Sequence, residues 1–151
     1  MKPVSFFKNK MSSLASPLLK SMMESSAGMK AQADRLLVIS QNLANAGTKA
    51  PSPGVKPYQR KRVSFISELD KKSGVHLVKS TLIEPDASPF PRTYDPGDPG
   101  ADKDGFVEES NVKPMTELTD MREAARSHEA NLRAYEKAMA MLQDTIGLLK
   151  S

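Results

Sequence analysis

The sequence predicts a mainly α fold, with long N- and C-terminal helices forming a coiled-coil domain around a small central β/loop insert. Three observations predict it. Eight of the 11 prolines lie between Pro51 and Pro99, so long uninterrupted helices are permitted only on the flanks. Both flanks carry a seam of residues stepping alternately three and four positions, the spacing of a coiled-coil heptad. Between them lie two short β-rich runs separated by a turn-forming tetrapeptide. These features divide the 151 residues into an N-terminal arm over 1–17, which is a candidate export signal, a helix over 18–46, a Pro-rich β/loop segment over 47–114 and a helix over 115–151.

The N-terminal helix has its seam at Leu19, Met22, Ser26, Met29, Ala33, Leu36, Ser40 and Leu43, where large and small side chains alternate. Small seam positions permit close helix approach while burying little area. Gly28 weakens the helix by about 1 kcal/mol relative to Ala. Asn45-Ala46-Gly47 is the expected stop, since Asn and Gly tolerate the left-handed geometry common at helix ends.

In the middle segment, Tyr58–Ile66 and Val75–Ile83 are the expected strands, with a turn at Lys71-Lys72-Ser73-Gly74. From Ser88 to Gly100 prolines and aspartates dominate, and a loop is expected. The C-terminal helix carries the clearest pattern. Its seam runs Leu118, Met121, Ala125, His128, Leu132, Tyr135, Met139, Leu142, Ile146 and Leu149, and the charged residues fall beside it. Pro114 suits a first turn, and Glu117 and Asp120 complement the positive end of the helix dipole. At 1.5 Å per residue the helix is about 48 Å long. Such helices draw most of their stability from packing of the apolar face, so the seams predict association.

Composition narrows the function. Aromatic residues are 5% of the chain, Trp is absent and there are nine Met, which is thin material for a large enzyme core and suits adaptable helix seams. The net charge of +4 is concentrated in residues 1–50, with seven bases and two acids, too dilute for a nucleic-acid footprint. The absence of Cys removes disulfides, thiolate nucleophiles and Cys-ligated metals. No run of 18 apolar residues exists, and the first 20 residues lack the apolar stretch of a cleaved secretory signal.

Motifs for chemistry are sparse. His76 and His128 have no HxxH or HExxH context, and His128 reads as a packed seam residue. Asp102-Lys103-Asp104-Gly105 resembles the middle of an EF-hand loop. In that register Gly100 and Asn111 occupy the first and last ligand positions, where Asp and Glu are required, so a structural turn is the better reading. Arg60-Lys61-Arg62 reads as one stretch of a solvated or interface strand. No catalytic residue, metal, cofactor, nucleic acid or small-molecule substrate is expected.

Two groups of motifs carry a resemblance. Ser26-Ala27-Gly28-Met29-Lys30-Ala31-Gln32 and Ile39-Ser40-Gln41-Asn42-Leu43-Ala44-Asn45-Ala46 resemble the N-terminal signature of bacterial flagellar rod and hook proteins. The stretch Tyr94-Asp95-Pro96-Gly97 through Gly105-Phe106-Val107 resembles the loop of the proximal rod family FlgC. Ser110-Asn111-Val112, Glu117–Met121 and Ala125–Asn131 continue the match in order. The family pattern has His at Asp98, Asp at Gly100, Tyr at Phe106 and Pro at Ser110.

The resemblance implies a non-enzymatic structural subunit of the basal-body rod. Such a subunit is exported unfolded through the flagellar type III apparatus and assembles helically in the periplasm to transmit torque. Its implied partners are copies of itself, other rod proteins, the export apparatus and the membrane ring. The residues expected to serve assembly are Met29, Leu36, Asn42, Leu43 and Asn45 on the first helix, and Leu118, Met121, Leu132, Tyr135, Met139, Leu142 and Ile146 on the second. Tyr94, Asp95, Pro96, Gly97 and Gly105 form the loop motif. A soluble coiled-coil adaptor with a small β insert is the alternative, and a calcium-binding module is a more distant one.

Overall fold

The computed structural model describes the backbone of residues 4–150, and side chains over 16–148 except Leu82. Most of the expected arm over 1–17, and the seam residue Leu149, therefore lie outside the described side chains. Helix α1 spans Val4–Ala44, strand β1 Lys61–Asp70, β2 Val75–Pro85, β3 Arg92–Tyr94, β4 Phe106–Glu108, and helix α2 Pro114–Lys150. The helix–β–helix order is the expected one. The first helix is longer than the expected 18–46 and contains Pro17, which cannot donate to the carbonyl four residues earlier.

Strands β1 and β2 form a two-stranded sheet; β1 begins at Lys61 rather than at the expected Tyr58, and both strands end farther on than Ile66 and Ile83. Their turn falls where expected. Asp70 organises it by accepting from the Ser73 hydroxyl (2.6 Å) and the Ser73 amide (3.2 Å), and Gly74 takes the positive φ of 68° that the turn needs. Its carboxyl is held below the usual carboxylate range, first by the Ser73 hydroxyl and then by the Lys72 amide.

The expected structureless loop over 88–100 needs correction. Its middle part enters an antiparallel pair in which Arg92, Thr93 and Tyr94 face Glu108, Val107 and Phe106, extended by a bridge between Lys49 and Glu109. The α1 stop also differs in mechanism. Gly47 does not have a positive φ. Instead Asn45 Nδ2 donates to the Gln41 carbonyl (2.8 Å), and tight turns from Asn42 and Leu43 close the end.

The chain divides into two compact units. The first comprises residues through Gln32, Phe65–Lys79 and the chain from Arg126. The second comprises Ala33–Ser64 and Ser80–Ala125. Buried apolar residues in the first are small or few: Ala31, Val75 and Ala138. The second packs Val38, Ile39, Ala50, Val107, Val112 and Ala124 into its core.

Candidate assembly site

The two helices bury a different stripe from the one their apolar pattern announces. On α2 the buried positions are Glu117, Ala124 and Ala138, with Asn131 half-buried between them at the same seven-residue spacing. That row lies one residue before Leu118, Ala125, Leu132 and Met139. Those large seam residues, with Ile146, remain exposed: Leu118, Leu132, Met139 and Ile146 keep between 37% and 45% of their surface in solvent. The other half of the seam, Met121, His128, Tyr135 and Leu142, is half-buried. On α1, Met29, Leu36, Leu43 and Asn45 are half-buried and Leu19 is exposed, while Ser25, Ala31, Val38, Ile39 and Asn42 are buried.

Small residues explain this choice within the first unit. Asn131 approaches Gly28 so closely that a Cβ there would lie 2.7 Å from its amide nitrogen. One turn away, His128 Nδ1 is 3.1 Å from the Met29 carbonyl, which makes His128 a helix-packing residue as expected. Close backbone approach of this kind excludes bulky seam residues from the contact and leaves them on its flank.

The second unit is organised around polar groups. Glu117 is completely buried; its Oε1 accepts from Arg60 Nε (2.6 Å) and its Oε2 from Asn42 Nδ2 (2.9 Å). Arg60 also donates to Asp86 (3.0 Å) and Asp120 (3.4 Å), and its backbone N–H donates to Asn111 Oδ1 (2.7 Å). Asn42 uses its remaining capacity fully. Its Oδ1 accepts from Tyr58 Oη and the Lys61 amide, both at 3.0 Å, and its Nδ2 also donates to the Lys61 carbonyl (2.8 Å). Asn111 Nδ2 reaches the Asp86 and Ser88 carbonyls.

The electrostatics follow from this arrangement. Burial pulls the Arg60 pKa down, but hydrogen bonds to Glu117 and Asp86 outweigh it and leave the guanidinium above its ordinary value. The Ser88 amide and then Arg60 hold the Asp86 carboxyl below the usual range. Burial, reinforced by the Glu117 charge, raises Tyr58. Glu117 stands in the first turn of α2 as expected, and the structure adds that it is buried and hydrogen-bonded there. Arg60, expected on a solvated or interface face, is a half-buried residue paired within its own chain. On sequence Asn42 is an expected assembly residue, whereas Arg60 and Tyr58 figure only in the basic, β-rich run, Asn111 only in a family motif, and Asp86 not at all. The spacing of charges along the chain held no signal for them, because the side chains and backbone they join across the node lie 16 to 60 positions away.

The 92–108 hairpin is a self-contained motif in the same unit. Asp102 Oδ1 accepts from the Asp104 and Phe106 amides, each at 2.9 Å, and the other oxygen pairs with Arg92. Its carboxyl lies below the usual range, first because of the Phe106 amide. This is the turn expected for Asp102–Gly105, and Gly105 takes a φ of 81° against the Tyr94 ring. Tyr94 and Phe106 meet edge to face at 5.3 Å, with the Arg92 guanidinium 5.1 Å over Phe106. Asp95 and Asp98 both accept from Lys49, at 3.0 and 3.1 Å. Pro96 and Gly97 are exposed at the hairpin's outer bend.

Comparison with known proteins decides what this architecture is. Residues 103–148 match the model described as "Flagellar basal body rod FlgEFG protein C-terminal". The chain is similar to the flagellar basal-body rod protein FlgC of Agrobacterium fabrum, with 42% identity over 89% of this chain and 97% of that protein. The FlgC proteins of Bacillus subtilis (34% identity, 83% and 94% covered) and Salmonella typhimurium (31%, 81% and 90%) are similar over comparable spans. The chain belongs to the FlgC family of flagellar basal-body rod proteins.

As a FlgC-family chain it is a structural component of the flagellar basal body and not an enzyme, and it assembles with other rod components. The loop residues 98, 100 and 110 have a definite physical setting. A Cβ at Gly100 would lie 2.0 Å from the Ala50 carbonyl oxygen, so the hairpin in this form admits only glycine there. Asp98 accepts from the Gly100 amide (2.8 Å) and from Lys49. Ser110 is buried and its hydroxyl accepts from the Val112 amide (3.4 Å).

Proposed function

We propose that this chain is a subunit of the proximal rod. It is exported through the flagellar type III apparatus, with residues 1–17 as arm and export signal, and added in the periplasm beneath the membrane ring. There it joins a helical array of α1 and α2 coiled coils that transmits torque. The observation that carries this reading is the row Leu118, Leu132, Met139 and Ile146. It keeps heptad spacing along a 37-residue helix yet stays exposed in the single chain. A seam that the chain's own helices leave open is suited to neighbouring subunits, and repeated heterologous contacts of that kind extend into an open helical assembly.

On this reading Met29, Leu36, Leu43 and Asn45 on α1, and Met121, Tyr135 and Leu142 on α2, fix the helix pair while the exposed row makes the joint. The loop motif at Tyr94–Gly97 presents a second surface. The test is deletion of the gene followed by electron microscopy of cell envelopes. The expected outcome is loss of rod and hook with the membrane ring retained, and recovery of motility when the intact gene is returned. Intact flagella in the deletion strain would overturn the reading and return the coiled-coil adaptor to first place.

A further inference from the structure

Strand β1 has a free edge. Among the described residues its only strand neighbour is β2, and residues 64–69 are all exposed, Phe65, Ile66 and Leu69 included. β2 is the strand tied to the rest of the chain: Val75 is buried, and the Ser80 hydroxyl donates to Asp34 on α1 (2.5 Å). In an antiparallel pair each residue points its N–H and C=O to one side, and successive residues alternate. The Arg60, Ser64 and Asp70 carbonyls accept from Asp86, Thr81 and Gly74, so the even-numbered residues face β2. Lys61 points the other way and exchanges both backbone groups with the Asn42 side chain (3.0 and 2.8 Å). Val63, Phe65, Ser67 and Leu69 therefore carry backbone donors and acceptors along the outer edge, where another strand can add.

We propose that this edge pairs antiparallel with β1 of a second copy of the chain, about a two-fold axis at Phe65. The charge order of the strand is its own complement, with Lys61 and Arg62 at one end and Glu68 and Asp70 at the other. Read antiparallel, the basic end of one copy meets the acidic end of the next. Arg62 is exposed and has no ion-pair partner among the described residues. Glu68 is exposed and carries only the Lys79 contact at 2.7 Å.

Charge also selects the register. Outward-facing residues must lie opposite one another, which allows axes at Ser64, Phe65 or Ile66 near the strand centre. An axis at Ser64 sets Glu68 against Arg60, which already serves Glu117 and Asp86. An axis at Ile66 sets Lys61 against Lys71 and assigns Arg62 to Asp70, whose carboxylate holds the Ser73 turn. The axis at Phe65 puts Arg62 opposite Glu68 at both ends. It also places Phe65 beside its own copy, and exchanges backbone bonds between the two Phe65 residues and between Val63 and Ser67. Aromatic and opposite-charge pairs directly across an antiparallel ladder are stabilising. A two-fold contact of this kind closes after two copies, so it is distinct from the repeating contacts of the rod and does not depend on them.

Sedimentation of the purified full chain is expected to show a monomer–dimer equilibrium. Arg62→Glu and Glu68→Arg each set like charges at both ends of the pair and weaken self-association at least tenfold. The two variants mixed in equal amounts are expected to form a dimer of one copy of each, because the mixed pair has opposite charges at both ends. The chain contains no native cysteine, so Phe65→Cys supplies an independent reading: a short thiol cross-linker should join two copies through that position. A chain that stays monomeric at every concentration leaves the edge to a strand of another protein and overturns the proposal. Dimers that persist in both single variants place the contact elsewhere and overturn it too. So does a mixture no more associated than either variant, with the circular dichroism of both matching the unaltered chain, or a Phe65→Cys chain that forms no linked pair.

Discussion

The two compact units use their side chains in opposite ways. In the second unit polar demand is met inside the chain: Glu117, Arg60, Asn42 and Asn111 fill almost every donor and acceptor position they have with one another and with nearby backbone. The first unit meets its apolar demand only in part. Small residues hold its helices together, and the large ones, Leu19, Leu132, Met139 and Ile146, stay in solvent. A buried polar node accepts few alternative geometries, since a misplaced partner leaves a desolvated charge, so the second unit fixes one arrangement of α1's end and α2's start. An exposed heptad row is indifferent to which helix covers it. The division of labour fits a chain that must be ordered in one unit and receptive in the other.

The sharpest way to test that contrast is a substitution that destroys function without touching stability. Leu132→Asp places a charge in the middle of the exposed row. The expected result is complete loss of swimming, with the unfolding free energy of the purified chain unchanged within about 0.5 kcal/mol, because the residue is a surface position in the isolated chain. Motility in this strain, or a large fall in stability, would mean that the row is not reserved for other subunits.

The converse experiment targets the second unit. Arg60→Ala leaves the Glu117 carboxylate buried, with Asn42 as its remaining side-chain donor. Stranding one member of a buried pair costs about 3–5 kcal/mol. Urea denaturation followed by circular dichroism is expected to show a loss of that size. A change below about 1 kcal/mol would mean that the node is ornamental and that the apolar core around Val38, Ile39 and Val107 alone specifies the unit.

The same contrast explains what could be read from the sequence. Heptad spacing depends only on residues a few positions apart, so both helices, the turn at Lys71–Gly74 and the Asp102 turn were legible. The face buried between the helices was not. Large apolar residues mark the strongest periodic signal, but Gly28 and Asn131 set the contact, and the buried stripe falls one residue earlier. Three-residue strands such as Arg92–Tyr94 are too short for alternation to register, and the prolines around them speak for a loop. Within the site, Asn42 stood out by its motif. Glu117 looked like an ordinary first-turn carboxylate because no local pattern reveals that Arg60, 57 positions earlier, will bury against it.

The smallest expected effect is a pH dependence confined to the polar unit. The Ser88 amide and then Arg60 lower the Asp86 pKa in the folded chain. A carboxyl with a depressed folded pKa binds protons less readily folded than unfolded. Its contribution is therefore complete above the ordinary carboxylate value and is lost as pH falls through that value toward the folded one. Asp86 is partly solvated, which limits the contribution to about 1 kcal/mol or less. Stability measured from neutral pH into the acid range should fall less steeply in Asp86→Asn than in the unaltered chain, and the two curves should converge once Asp86 is protonated. Glu117 remains in place in that variant, so the comparison isolates the Asp86 carboxylate, with its Ser88 and Arg60 contacts together, from the buried pair. Parallel acid limbs would show that this exposed side of the node contributes no more to stability than the surface of the first unit does.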